Sequence, residues 1–238
     1  MIHERIFQEL ERRDCVLLPN LKKMIIRGCP DHYSSLFLAP ATQHLELQMI
    51  RNTNNTNMCR FIDDVPLRSP HLRSIHFARP SRWMQVETDS FVGPLPRLLN
   101  RLQDLEQFYC DLHLSDEITI TLLQMSNLRN VAIYKEIEAL ERILLDHKVG
   151  SPRLEEVTIR TDHLGGRSLA ELLISLRPTL LTSFHLLAPS TYTSAYFYQV
   201  DLGVFFHAIG KHCSPTRFAE LTLVSNSLLH VQRSTSPR

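Results

Sequence analysis

The chain has 238 residues, 43% of them hydrophobic and 21% charged, with 7 Gly and 13 Pro. That composition belongs to a folded globular chain and excludes disordered, collagen-like and Gly-rich classes. With 26 Lys+Arg against 25 Asp+Glu, the formal charge of +1 points to neither a nucleic-acid nor an acidic-membrane partner.

Residues 1–15 open the chain with an amphipathic pattern. Ile2, Ile6, Phe7 and Leu10 form an apolar stripe, with Glu4, Glu9, Arg12 and Arg13 elsewhere. This predicts one helix, either an end cap or the trailing helix of an earlier unit. Its charges exclude a secretory signal, and no apolar run is long enough to span a membrane. The five cysteines, Cys15, Cys29, Cys59, Cys110 and Cys213, form no CxxC pair and no zinc spacing, so free thiols in a reducing, intracellular compartment, cytoplasmic or nuclear, are expected. Asn54-Asn55-Thr56 fits a glycosylation pattern that has no meaning without secretion.

From residue 16 to 226 one phrase recurs: an apolar residue, two variable, an apolar, one variable, an apolar. The first copy is Leu21/Met24/Ile26, and a weaker one is Thr42/Leu45/Leu47. Then follow Leu72/Ile75/Phe77, Leu105/Phe108/Cys110, Leu128/Val131/Ile133, Leu154/Val157/Ile159, Leu181/Phe184/Leu186 and Phe218/Leu221/Leu223. The intervals between first positions are 21, 30, 33, 23, 26, 27 and 37 residues. Each phrase predicts a short strand with its apolar residues inward.

Between the phrases the apolar period becomes helical. Met58/Phe61/Ile62/Val65, Leu95/Leu98/Leu99/Leu102 and Ile137/Leu140/Leu144 each mark a helix. Ser115 before Asp116 and Glu117 is an N-cap with two carboxylates at the positive end of the dipole. Ser168 and Glu171 form a capping box ahead of Leu169/Leu172/Leu173/Leu176, which Pro178 ends. Residues 189–200 hold Tyr192, Tyr196, Phe197 and Tyr198 in the widest interval, either a binding loop or a segment packed on a neighbouring helix. Asp201 caps a helix with Leu202/Phe205/Phe206/Ile209 on one face. Residues 227–238 are a polar tail.

Alternating strand and helix predicts a parallel α/β architecture. No GxGxxG follows a strand; Gly165-Gly166 is the lone Gly pair, so a dinucleotide fold is disfavoured. The phrase is the LxxLxL strand signature of leucine-rich repeats. Cys29 and Asn226 fill the expected Asn/Cys position in two units. The expected fold is therefore a leucine-rich-repeat solenoid of about eight irregular units, with a curved parallel sheet on the concave side and helices on the convex side.

Unit lengths of 21–37 residues, some opened by Ser-Pro-x-Leu (Ser69-Pro70-His71-Leu72, Ser151-Pro152-Arg153-Leu154), resemble the repeat region of F-box-type proteins, notably the fungal set. The resemblance implies a non-enzymatic module whose repeats bind a protein substrate of a ubiquitin ligase. No F-box is recognisable before Pro19, so docking to the cullin-ligase linker is expected only if one lies upstream. The chain is then either a whole product or a piece of a longer receptor. The alternative is a stand-alone scaffold or inhibitor without a ligase link.

Catalytic chemistry finds little support. GxSxG, HExxH and Walker sequences are missing from the chain. His163-Leu164-Gly165-Gly166 suggests a turn ahead of a helix more than an oxyanion loop. A small hydrolase using His163 or His185 as base is the weakest alternative. His71/His76 and His207/His212 have the wrong spacing for a helical zinc pair, and Asp63-Asp64 reads as a solvated helix end. No metal or cofactor is expected. The outward strand positions carry three basic groups (Lys23, Arg27, Arg160) and four acidic ones (Glu46, Asp111, Glu156, Glu220), too balanced for phosphate binding. Their central aromatic and basic members, His76, Tyr109, Tyr134, Arg160 and His185, are the candidate partner-binding residues.

Overall fold

The computed structural model describes residues 2–28, 30–48, 55–78, 93–147, 153–161, 168–176, 180–188 and 202–225. Several features expected above lie outside them: Cys29, Asn54, Ser151-Pro152, His163, Gly165-Gly166, Pro178, the 189–200 insertion, Asp201, Asn226 and the 227–238 tail. So do the side chains of Ile2, Ser168 and Leu202.

Each repeated phrase begins at a turn. The amides of Leu21, Thr42, Leu72, Leu105 and Leu128 each donate to the carbonyl three residues back, at 2.9–3.4 Å. Pro19, Pro40 and Pro70 sit second in three of these turns, where a fixed φ near −65° is what a type I or II turn needs. Thr42 serves as a first position because its hydroxyl is satisfied. It donates to the Leu21 carbonyl (2.9 Å) and accepts from the Ala39 amide (3.2 Å), with the residue fully buried.

Out of these turns run eight strands: β1 (Lys23–Arg27), β2 (His44–Gln48), β3 (Ser74–Ala78), β4 (Gln107–His113), β5 (Asn130–Tyr134), β6 (Glu156–Arg160), β7 (Ser183–Ala188) and β8 (Glu220–Ser225). They form one sheet in sequential order, and every neighbouring pair is parallel. The residue after each first apolar position locks the register. The carbonyls of Lys22, Gln43, Arg73, Glu106, Arg129, Glu155 and Thr182 each accept two amides of the following unit, at 2.7–3.1 Å. A repeated phrase in the sequence has become a repeated hydrogen-bond pair in space.

Among the described residues seven helices accompany the strands: α1 (Ile2–Arg12), α2 (Asn55–Arg68), α3 (Leu95–Arg101), α4 (Asp116–Gln124), α5 (Ile137–His147), α6 (Ser168–Ser175) and α7 (Leu202–His212). The shortest interval, between β1 and β2, holds a 3-10 turn, Ser34–Phe37, in place of a helix. From α2 to α7 each helix packs on the next, so they form a single layer. The predicted helix faces of α2, α3 and α5 are buried, as are Leu169, Leu172, Leu173 and Leu176 around α6. Ser115 accepts from the Ile118 amide at 3.4 Å as the expected N-cap of α4.

Inward strand residues and helix faces merge into one apolar core from Met24 to Cys213. Burial alternates along β2, β3 and β6, so one sheet face is sealed by helices and the other is open. The ends depart from the expected pattern. Leu21, Ile26, Phe218, Leu221 and Leu223 are only half-buried, while Ile6 of α1 and Phe206 of α7 are about half exposed, at 52% and 49%. An end unit has a neighbour on one side only, so its apolar set is half covered.

Cys110 lies in this core, fully buried on β4, and burial pushes its thiol up to about 12. Because the thiolate is the reactive form, Cys110 should resist alkylation at pH 8 and react once the chain unfolds. A pulse of iodoacetamide followed by peptide mapping reads this directly. Labelling of Cys110 in the native protein would mean that β4 opens without global unfolding.

Candidate functional site

The open face is built from residues that alternate with the core positions. Its first row is Lys23, His44, Ser74, Gln107, Asn130, Glu156, Ser183 and Glu220, all held in register. The middle row is Ile25, Glu46, His76, Tyr109, Ala132, Thr158, His185 and Thr222.

The third row breaks at β4. Tyr109 pairs with Ala132, but the next pairing is His113 with Tyr134, so four steps on β4 match two on β5. The two additional residues make a bulge, a device that re-aims side chains. Tyr109 keeps Ala132 as its partner while Tyr134 is matched to His113, so the two tyrosines stand at different levels of the sheet. Tyr109 meets His76 edge-on, with centroids 5.8 Å apart and rings at 71°. Tyr134 meets His113 in the same manner, at 5.7 Å and 63°. Such edge contacts are favoured by the ring quadrupole.

Between the two aromatic pairs lies an ion pair. Arg160 of β6 binds Asp111 of β4, across the intervening β5. Strands two apart are separated by roughly 10 Å, a distance the long arginine side chain can span. On β5, Tyr134 is level with Arg160, and the neighbouring outward residue is the small Ala132, 9% exposed. The Arg160 side chain is 38% exposed and Asp111 19%, so the pair is partly desolvated yet reachable from solvent. Its backbone also fastens the sheet, since the Arg160 carbonyl accepts the Lys135 amide at 2.8 Å.

The structure thus gathers His76, Tyr109, Tyr134 and Arg160 on β3 to β6, all half-buried. His185 stands apart in the middle row between Thr158 and Thr222. His113 is a member of the face that the phrase pattern does not single out. Its signal was the run Phe108/Cys110/Leu112/Leu114, an alternation longer than any other phrase and fully inward here.

A second polar region lies along the edge where the strands begin. Arg73 pairs with Glu106 and Arg129 with Glu155, each at 3.5 Å, beside a recess of about 210 Å³ also lined by Asp104, Asn127 and Arg153. Its arginines already meet acidic or amide partners, Arg153 donating to Asn127 at 3.0 Å, and the nearby His71 ring meets Asp104 at 2.9 Å. These exposed ladders stitch consecutive units together at modest energetic value. Asp63 likewise pairs with Arg97 at 3.1 Å, and Asp64 accepts from Ser35 at 2.6 Å, so this acidic pair braces the helix layer.

Among the described residues no helix is long and apolar enough to cross a membrane, and no three His, Cys, Asp or Glu side chains are gathered as metal ligands. Comparison with protein-family models, curated proteins and solved structures yields no match.

Proposed function

We propose that the chain is a leucine-rich-repeat module of intracellular proteins, non-enzymatic, which binds a protein partner on the open face of its sheet. One observation carries the reading. Eight parallel strands present a continuous face on which two His–Tyr pairs flank a partly desolvated Arg–Asp bridge. Tyr, Arg and other amphipathic groups of this kind anchor interfaces, because they combine apolar area with directed hydrogen bonds. The mixed charge of the face favours a protein over a polyanion.

The resemblance to F-box-type substrate receptors supports a place in ubiquitin-ligase recruitment, with the cullin-ligase linker as a further partner if an F-box precedes these repeats. A stand-alone scaffold or inhibitor would use the same face without that link. Affinity capture from a lysate, scored for cullin-ligase subunits, separates the two. The face itself is tested by Tyr109→Ala combined with Tyr134→Ala. Hot-spot truncation typically costs about 2 kcal/mol or more, so the double variant should bind a captured partner about thirtyfold more weakly by calorimetry. Each truncation also removes a half-buried edge contact, a stability loss of about 0.5–1.5 kcal/mol per site, so circular dichroism confirms that the double variant folds. Undiminished affinity would place the partner elsewhere on the molecule.

A further inference from the structure

Among the described residues the two outer strands of the sheet, β1 and β8, each have a neighbouring strand on one side only. A parallel edge of this kind is a template for another strand. Three independent features show what the edges suit.

The first is the register lock. In seven successive units the carbonyl after the first apolar residue accepts two amides of the next unit. In the last unit that carbonyl belongs to Ala219; in the first unit the corresponding amides belong to Lys22 and Lys23. The second feature is the side-chain match when β1 continues the register beyond β8. Glu220 then stands opposite Lys23, both exposed, while half-buried Leu221 and Leu223 meet Met24 and half-buried Ile26. The third is where apolar surface remains. Of the eight large apolar side chains exposed among the described residues, Ile6, Leu18 and Ile25 lie at the β1 end and Val204 and Phe206 at the β8 end.

We propose that the β8 end of one copy docks on the β1 end of a second copy, head to tail, continuing the sheet in parallel register with Glu220 against Lys23 and α7 beside α1. Such an interface is heterologous, so it repeats from copy to copy and gives an open-ended series unless its rotation closes a ring. It uses the ends of the sheet and leaves the open face of every copy free for another protein.

Sedimentation velocity on the full chain, from low to high micromolar concentration, should show mass rising with concentration. Lys23→Glu places like charge against Glu220, and Glu220→Lys places like charge against Lys23. Each variant alone should self-associate at least about tenfold more weakly, since apposed like charges are costly. Mixing the two variants restores opposite charges at every junction and should restore association. Phe206→Ser, at an exposed site, should also weaken it, with circular dichroism confirming that each variant folds. Tyr109→Ala with Tyr134→Ala should leave self-association unchanged, which keeps this test separate from that of the open face. A wild-type chain that stays monomeric throughout overturns the proposal. So does association that ignores both charge reversals or is not recovered on mixing.

Discussion

Phe108→Ala should be the most damaging single substitution among the strand residues, costing about 3–5 kcal/mol. Phe108, the second residue of β4, is fully buried, in register with Ile75 on one side and Val131 on the other. Its ring lies 5.9 Å from that of Phe77, at 56°. Truncation therefore opens a cavity between two units and removes an aromatic contact, and the fixed strand spacing prevents the walls from closing over it. In a chain of this size each kcal/mol lowers the melting temperature by about 2–4 °C, so a fall of roughly 6–20 °C is expected. Gln107→Ala, one residue earlier on the open face, should change stability by no more than about 0.5 kcal/mol. Equal effects at the two positions would contradict the assignment of faces. Because repeat units couple chiefly to their neighbours, amide exchange should quicken most in β3, β4 and β5.

Lys135→Met should cost about 1–3 kcal/mol, although the substitution keeps the length of the stem. Lys135 follows β5 with its side chain only 4% exposed. Its ammonium donates to the Leu114 carbonyl at 2.8 Å and to Asp116 at 2.5 Å, pinning the turn that precedes α4. Methionine would leave that carbonyl without its charged donor, and most of the expected loss comes from there. Asp116 is over half exposed, so its share is small and salt-screened.

The Lys135 hydrogen bond holds the Asp116 carboxyl below its usual value. A depressed carboxylate stabilises the fold above its ordinary pKa, near 4, and loses that contribution as pH falls through the folded value. The stability gap between wild type and Lys135→Met should accordingly narrow in acid. Urea titrations at neutral pH and below pH 4 measure it. A gap that is constant across this range would mean that the carboxylate plays no part.

These two side chains show how differently the parts of this protein could be read. Phe108 was legible because its neighbours Leu105 and Cys110 repeat at the spacing of one strand. Alternation then decides which way each side chain points. Lys135 was not singled out, although it falls on the inward parity of Val131 and Ile133, where a lysine has to find a partner. Nothing local says that this partner is a carbonyl and a carboxylate some 20 residues earlier, at separations of 21 and 19. The candidate face divides in the same way. His76, Tyr109, Tyr134 and Arg160 were placed outward by parity, but their grouping depends on register between strands.

The sequence by itself determined eight strands, the helices predicted between them and the residues that fill the core. Each of these follows from periodicity within a single unit, where the backbone fixes side-chain direction. Only the tertiary structure decided which outward residues meet. The bulge in β4 shifts Tyr134 from Asp111 to His113, and the sheet brings Arg160 of β6 to Asp111 of β4 across β5. It also decided that Ile6 and Phe206 remain about half exposed among the described residues. Those outcomes depend on contacts between units, and a pattern read along one unit carries no record of its neighbour's offset.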